Sequence, residues 1–468
     1  MPMTTTETAD RSASRQPADP RIRQSLKHSI RDGAGYAAMT GSGESYLSAF
    51  AIFLKATTEQ IGFIASVPTL LASFAQLLSA WLGHQFGHRK IIILIGATLQ
   101  AIIWLPLLLL PILVPQHAVE LLILCIVLYH AFANLTAPQW ASLMGELVSE
   151  NKRGRYFAQR TGISSITSFA ALIAAGFLLH YFDDRQATIT GFILIFSLAF
   201  GARLFSVYHL YKMHDPSSHV AALENPLRLQ TFRELRHSSL LKFSIFFLCV
   251  QFSVSMASPF FSVYLLRDLH FSYLQFMSCA ASTVLFQFLA LQRWGRISDI
   301  FGNRVILKIC GLLIPLLPFL WLISENFYYL LVVQAFGGFI WAGFTLSASN
   351  YLYDLIPQNK RATWMAAHNV LAGTGVFFGA LLGGWLGTVM PGHYSLLHLE
   401  ISMRSTLYNV FIISFLLRLA TMSFFIPRII ETRKVRRMPL RHLIFRVIAF
   451  HPLTGLNFEV ISSRKSGK

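Results

Sequence analysis

The sequence predicts an all-α membrane protein of twelve transmembrane helices in two pseudo-symmetric six-helix bundles, and three observations carry that expectation. Of the 468 residues, 54% are apolar and 13% charged, with a mean hydropathy of +0.53, a balance that leaves too little polarity to cover the surface of a water-soluble chain. The apolar residues gather into twelve blocks, most of them near the roughly 20 residues that cross a bilayer as a helix. Short polar motifs of the first half recur in the second at nearly constant spacing, the mark of a duplicated unit.

The blocks run over 35–54, 61–82, 91–113, 120–147, 157–180 and 188–211, and then over 241–266, 271–294, 305–323, 327–348, 363–389 and 405–426. Residues 1–30, rich in Thr, Ser, Pro and Arg and without the apolar core of a signal peptide, are expected to be a disordered cytoplasmic tail. Residues 31–212 form the first bundle. The longest internal link, 213–240, contains Asp215-Pro216 and Asn225-Pro226, and Arg228, Arg233 and Arg236 stand among Leu and Phe, a pattern for a short amphipathic segment on the cytoplasmic surface. Residues 241–428 form the second bundle, and 429–468 a basic cytoplasmic tail.

A formal net charge of +18 would suit nucleic-acid binding, but the Lys and Arg residues sit in the links after even-numbered blocks and in the tails. Arg89 and Lys90, Lys152, Arg153 and Arg155, Arg293, Arg296 and Arg304, and Lys360 and Arg361 are examples. The alternate links carry little more than Lys55, Arg185, Arg267 and Arg404. This asymmetry puts both termini in the cytoplasm by the positive-inside rule, and the compact links suggest a bacterial inner membrane. Cys125, Cys249, Cys279 and Cys310 each lie alone inside an apolar block, so neither disulfides nor a C-x-x-C metal site is expected, and no cofactor.

Two motifs support the repeat. Glu150-Asn151-Lys152-Arg153 recurs as Gln358-Asn359-Lys360-Arg361, 208 residues later. The link Ala80 to Lys90 matches Gly295 to Val305 at an offset of 215, with a shared Phe-Gly-x-Arg core. The second copy, Gly295-Arg-Ile-Ser-Asp299-Ile-Phe-Gly302-Asn-Arg304, reads as a glycine-punctuated turn between two membrane helices.

That stretch resembles the loop signature of the major facilitator superfamily, with glycine, a small residue, Asp, Gly and Arg at fixed spacing, and the likeness extends over about residues 30 to 428. The resemblance implies the two-bundle fold and alternating access, and it makes Asp299 and Arg304 part of a cytoplasmic gate with Gly295 and Gly302. The first copy departs from the pattern: His84 replaces the Asp and Ala80 the leading Gly, whereas Gly87 and Arg89 remain. More of the bracing is therefore expected from the second copy. Arg153-Gly154-Arg155 resembles a further Arg-Gly element after the fourth helix, and doubles as a topology anchor.

Charges inside a bilayer cost roughly 2.5 to 3.5 kcal/mol each at mid-helix, so those that remain need a partner or a task. Glu44, in G-S-G-E-S-Y, lies near the middle of the first block among small residues. It either couples substrate or proton movement or pairs with a group such as Arg160 to hold the bundle. Asp32 stands at the start of that block, as a cap, a salt-bridge partner or a transport residue. Glu146 and Arg160, at similar depth, are candidates to pair, in a structural or gating role or in contact with substrate. Tyr129, His130, Asn134, Gln139 and Trp140 bring polarity to the fourth block, where His130 and Asn134 share a face at i and i+4. In the second half the comparable residues are Gln251, Asn350, Asp354, His368 and Asn369, which line a pathway or bond neighbouring helices. The eleventh block carries Gly373, Gly375, Gly379, Gly383, Gly384 and Gly387, a surface for close helix packing.

The expected activity is secondary active transport of a small organic solute by alternating access, coupled to protons, by a monomer surrounded by lipid. No G-x-x-x-x-G-K-[ST] segment supports an ATP-driven pump. No H-E-x-x-H or G-x-S-x-G motif supports an enzyme. The alternative is a transporter-shaped receptor or lipid-moving protein without solute flux.

Overall fold

The structure, a computed structural model, describes residues 20–86, 88–148, 153–216, 238–356, 361–396 and 399–431. Twelve helical crossings are present among them. The first unit contains α1 (Pro20–Ser42, continued after a 3-10 turn at Glu44–Tyr46 by Leu47–Phe53), α2 (Thr58–Phe86), α3 (Arg89–Ile102, resuming as Trp104–Leu113), α4 (Ala118–Leu147), α5 (Arg153–Asp183) and α6 (Thr188–Tyr211). The second contains α7 (Ser239–Ser255, resuming as Ser258–Val263 with a π turn at Tyr264–Asp268), α8 (Tyr273–Phe301), α9 (Asn303–Leu313 and Leu316–Leu320), α10 (Phe327–Leu355), α11 (Arg361–Val389) and α12 (Leu407–Phe425). A small antiparallel hairpin, β1 (His393–Leu396) with β2 (Leu399–Ser402), joins the last two.

Eleven of the crossings are long and apolar enough to span a bilayer by length and composition. The exception is α1, whose polar first half hides it from a hydropathy window although it packs along α5 and α6. Its start corrects the expected tail: the helix begins at Pro20, so 20–30 belong to the bundle. Proline suits a first helical position, since its missing N–H is unpaired there in any case. Ser25 and Ser29 on this stretch are buried, and the Ser25 hydroxyl donates to the carbonyl of Arg21 (2.9 Å).

The Gly295 to Arg304 stretch is also not a turn over most of its length. Gly295 and Asp299 lie on α8, which runs to Phe301, and the reversal is confined to Gly302. Gly302 has φ 85°, a left-handed conformation that glycine adopts without a Cβ penalty. No earlier residue breaks the helix. His84 likewise lies on α2. Gly87, and 217–237 and 432–468 of the central link and basic tail, lie outside the described residues, as do the side chains of His84 and Arg153.

Packing differs between the two ends of the molecule. At the end remote from the termini, one apolar core draws on both units, with Tyr46, Phe50, Trp104 and Phe196 from the first and Met256, Phe260, Phe276 and Phe411 from the second. At the end bearing the termini the core splits in two, one around Ile93, Leu143 and Met144 and another around Phe243, Trp294 and Ile306. Between the units, α2 lies against α11 and α5 against α8. The α11 glycines shape this arrangement: a Cβ at Gly375, Gly379 or Gly383 would run into the α7 carbonyls of Leu248, Phe252 or Met256. Gly384, on another face, sits 3.5 Å by the same measure from the Cα of Gly62 on α2. Small residues thus let α11 seat between two backbones.

Candidate functional site

The site begins where α1 breaks. Gly43 packs so tightly against the Trp104 indole and Ala199 that a Cβ there would collide with both. The chain leaves the α-helix, turns through Glu44–Tyr46 and restarts at Leu47. Carbonyls around the break are served by nearby hydroxyls, Ser42 donating to Ala38 (2.8 Å) and Ser45 to Thr40 (3.0 Å).

α7 breaks at the matching place. At the 215-residue spacing Gly43 corresponds to Ser258 and Glu44 to Pro259, and α7 resumes at Ser258 with Pro259 in its first turn. A cavity of about 320 Å³ lies between the two restarted segments. Its polar wall consists of Glu44, Ser48, His130, Ser258 and Ser262, and its apolar wall includes Leu47, Ile61, Ile64 and Ile126. The Tyr129 hydroxyl donates to Glu44 Oε2 at 2.8 Å, and Tyr129 is itself buried against Trp104 (ring centroids 5.4 Å apart). Glu44 is thus anchored to α4 while remaining in the cavity wall. Arg160 is not its partner.

Arg160 pairs with Asp32 instead (Nη2 to Oδ2, 3.2 Å), and its Nε donates to the carbonyl of Ser29 (3.1 Å). Its guanidinium lies 4.2 Å over the Trp140 ring, a cation–π contact. Gly33 makes room for it, since a Cβ there would stand 3.0 Å from the guanidinium carbon. Asp32, only 3% exposed, accepts a second bond from the Ser206 hydroxyl (2.7 Å), which in turn accepts from Arg203 Nη1 (2.7 Å). Arg203 is 2% exposed and stands 5.0 Å over the Tyr36 ring. Of the expected roles Asp32 takes that of a salt-bridge partner, as the carboxylate centre of a buried α1–α5–α6 network.

The expected Glu146–Arg160 pair is also corrected. Glu146 pairs with Arg89, whose guanidinium additionally binds Asp215 Oδ1 through Nε (2.9 Å) and Nη2 (2.6 Å) and reaches the Ser142 hydroxyl (3.4 Å). Arg89 opens α3 directly beside α4, whereas Arg160 on α5 faces α1. The first motif copy, which lacks the Asp of the pattern, thus carries a charged clamp whose carboxylates come from α4 and the central link. In the second copy Asp299 is exposed and has no ionic or hydrogen-bond partner among the described residues. Around it Ser298 donates to Asn303 (2.6 Å), Asn303 to Asp354 (3.3 Å), and the backbone N–H of Arg304 to Glu431 (2.9 Å).

The other predicted residues separate by location. Gln139 ties α4 to α2 by donating to the Ser79 carbonyl (2.6 Å), and Asn134 bonds Gln76 (2.7 Å) and the carbonyl of His130 (2.9 Å). Gln76 also accepts from Asn369 at 3.5 Å, a polar contact between the units. His368 is buried within the second unit, bonded to Ser244 (3.0 Å) and 4.9 Å from the Phe247 ring. Gln251 and Asn350 are half-buried on α7 and α10 and line no part of the cavity. Of the predicted pathway residues, the structure brings Glu44 and His130 to the cavity and Asp32, Arg160 and Trp140 to the buried network.

Sequence reasoning missed Tyr36, Gln76, Arg203 and Arg418. The repeat offset was the available signal for two of them: Arg203 and Arg418 are 215 apart, as are Phe196 and Phe411, Phe200 and Phe415, and Leu204 and Leu419. Arg418 is 2% exposed, but the residue equivalent to Asp32 is Phe247, and Arg418 donates to the carbonyls of Val254 (3.2 Å) and Ile314 (3.5 Å).

Comparison with known proteins adds to this geometry. The model of a family described as MFS_1 like family matches residues 36–394. Multidrug resistance protein MdtG of Salmonella paratyphi C (strain RKS4594) is 29% identical over 133 residues, which is 28% of this chain and 32% of that protein; the chain therefore matches about a third of that relative's length. Among solved structures, nucleoside transporter NupG superposes with a TM-score of 0.63 at 15% identity, covering 87% of this chain and 99% of that one. A bacterial homologue of iron transporter ferroportin in an inward-facing state gives 0.63 at 14% (87% and 98%), and tetrameric PepTSo2 gives 0.64 at 14% (87% and 97%). At these identities the likeness is one of fold.

Proposed function

We propose, from the premise that the chain belongs to the MFS_1 like family, that it moves a small organic solute by proton-coupled alternating access. General secondary transport comes with the family and the twelve-helix membrane fold; the solute class, the proton and the site are the proposal. The observation that carries it is the cavity between the broken segments of α1 and α7, with Glu44 in its wall. One carboxylate accessible to both solute and solvent can hold a proton in one state and release it in the other, which is the minimum that coupling requires.

The packing supports a rocking cycle. The shared core at the far end and the divided cores at the end bearing the termini describe units closed on one side of the cavity. With both termini cytoplasmic, as the basic links favour, this is the state sealed toward the outside. The Thr58 hydroxyl accepts from Arg267 Nη1 (2.9 Å) across the two units at that seal. The Arg89 clamp then braces the first unit at the cytoplasmic face. The cavity is completed within one chain, so a monomer suffices, and a bacterial inner membrane fits the compact links.

The test is flux into proteoliposomes under an imposed pH gradient, with chemically diverse solutes and with Glu44→Gln beside wild type. Loss of gradient-driven accumulation in the variant is expected. Unchanged accumulation removes Glu44 from the coupling step.

A further inference from the structure

We infer that the cavity between the restarted segments of α1 and α7 takes a monovalent organic cation with an apolar body. This deepens the transport reading and rests on it for use of the site, though not for the site's charge preference.

Among the described residues lining the cavity the one fixed charge is the Glu44 carboxylate; none of them is Lys or Arg. Its Oε2 accepts from Tyr129, while Oε1 has no partner among the described residues. A carboxylate has about four acceptor positions, so much of its capacity is open to whatever fills the cavity. The nearby arginines are engaged elsewhere: Arg160 with Asp32 and Ser29, Arg203 with Ser206 and the Tyr36 ring. An anion entering here meets a like charge with no compensating cation in the wall, and a like-charge contact in a desolvated setting is unfavourable.

The repeat limits how much positive charge the site accepts. The position equivalent to Glu44 is Pro259, so the second unit adds no carboxylate and contributes the hydroxyls of Ser258 and Ser262. One carboxylate, one imidazole and three hydroxyls are a poor donor set for a divalent metal, which favours several carboxylate or imidazole ligands. No group of three His, Cys, Asp or Glu suited to a metal occurs among the described residues. The rest of the lining is largely aliphatic, through Leu47, Ile61, Ile64 and Ile126. A single positive charge at Glu44 with apolar substituents against those side chains satisfies both surfaces, as small-molecule sites of mixed lining do.

The experiment compares ions of one shape and opposite charge. Full-length protein in detergent is titrated calorimetrically with tetraphenylphosphonium and with tetraphenylborate, after subtraction of binding to empty micelles. Tetrapropylammonium serves as a smaller cation and uridine as a neutral polyhydroxy solute. At least tenfold tighter binding of a cation than of the borate is expected, with Glu44→Gln abolishing the preference and Glu44→Asp retaining it. Should Glu44→Gln fail to fold by gel filtration, Ser262→Lys, which sets a cation in the cavity lining contributed by α7, is expected to abolish the same preference. Equal or reversed charge preference overturns the inference, as does saturation by uridine with no binding of either cation, or no binding of any probe at millimolar concentration. If charge-selective binding occurs without proton-driven flux, the transport reading fails and the site stands; flux without charge preference has the opposite meaning.

Discussion

Tyr129 donates its hydroxyl to Glu44 across 2.8 Å, fastening the carboxylate that follows the α1 break to α4. Tyr129→Phe keeps the ring packing against Trp104 and removes only this donor. The expected cost is about 1.5 to 3 kcal/mol, the usual range when a hydrogen bond to a charged group is lost. Glu44→Gln keeps an acceptor for Tyr129 and is expected to melt within a few degrees of wild type. Thermal unfolding in detergent separates the two: a Glu44→Gln protein less stable than Tyr129→Phe would show that the carboxylate mainly holds the fold.

Arg89 predicts an unequal pair of gates. Its side chain is 3% exposed and serves Glu146 and Asp215 together. Arg89→Met leaves both carboxylates without it, and about 2 kcal/mol is expected, below the range for fully buried pairs because Glu146 is 40% exposed. Asp299→Asn removes an exposed charge with no partner among the described residues and is expected to change stability by no more than about 0.5 kcal/mol. Maleimide labelling of single cysteines at the terminal ends of α4 and α5 is expected to rise in Arg89→Met alone. A larger change in Asp299→Asn would restore the second motif copy as the main brace.

Much of the architecture was legible because hydropathy and the repeat report on long-range averages. Eleven crossings follow from length and composition, and the 215-residue offset separates the two units. The site was less legible, because partner choice depends on which helices become neighbours. Glu44, Glu146, Asp32 and Arg160 all stood out as charges at depth, yet spacing could not show that Arg160 faces α1 or that Arg89 faces α4. The start of α1 escaped for a different reason: Ser25, Ser29 and Asp32 are buried by packing against other helices, and a polar buried face gives no hydropathy signal. Arg203 and Arg418 were within reach of the repeat, but only a search for equivalent residues beyond the link motifs finds them.

Gly62 offers a handle on the cycle. A Cβ at this position would stand 2.8 Å from the carbonyl oxygen of Ala380, where α2 meets α11 near the far-end seal. Real Cβ atoms essentially never approach so closely, so Gly62→Val must push the two units apart there. Cores are bistable more readily than they are compressible, and the expected result is a shift toward the conformation open at the far end. Labelling of a Ser258→Cys reporter from that side should increase several-fold. Unchanged labelling in a folded variant would mean that the α2–α11 contact does not control access.

Ser414 and Arg418 on α12 test whether the break in α7 is held from outside the cavity. The break leaves the Ser253 carbonyl without its helical donor, because the Ala257 N–H turns to Val254 (3.1 Å). The Ser414 hydroxyl supplies the missing bond to Ser253 (2.6 Å), and one turn later Arg418 donates to the Val254 carbonyl (3.2 Å). Both serine side chains are buried, so Ser414→Ala strands a carbonyl at a cost of about 1 to 3 kcal/mol. Arg418→Met removes a buried cation together with its bonds; loss of the desolvation penalty offsets part of the damage, and the net effect on stability is expected to stay below that of Ser414→Ala. The two should still agree in a different measurement. If these bonds set the geometry of the Ser258–Pro259–Ser262 segment, each variant weakens solute binding several-fold while Glu44→Asp in the same background adds its own loss independently. A variant that unfolds earlier yet binds as tightly as wild type would confine Ser414 and Arg418 to holding the second unit together.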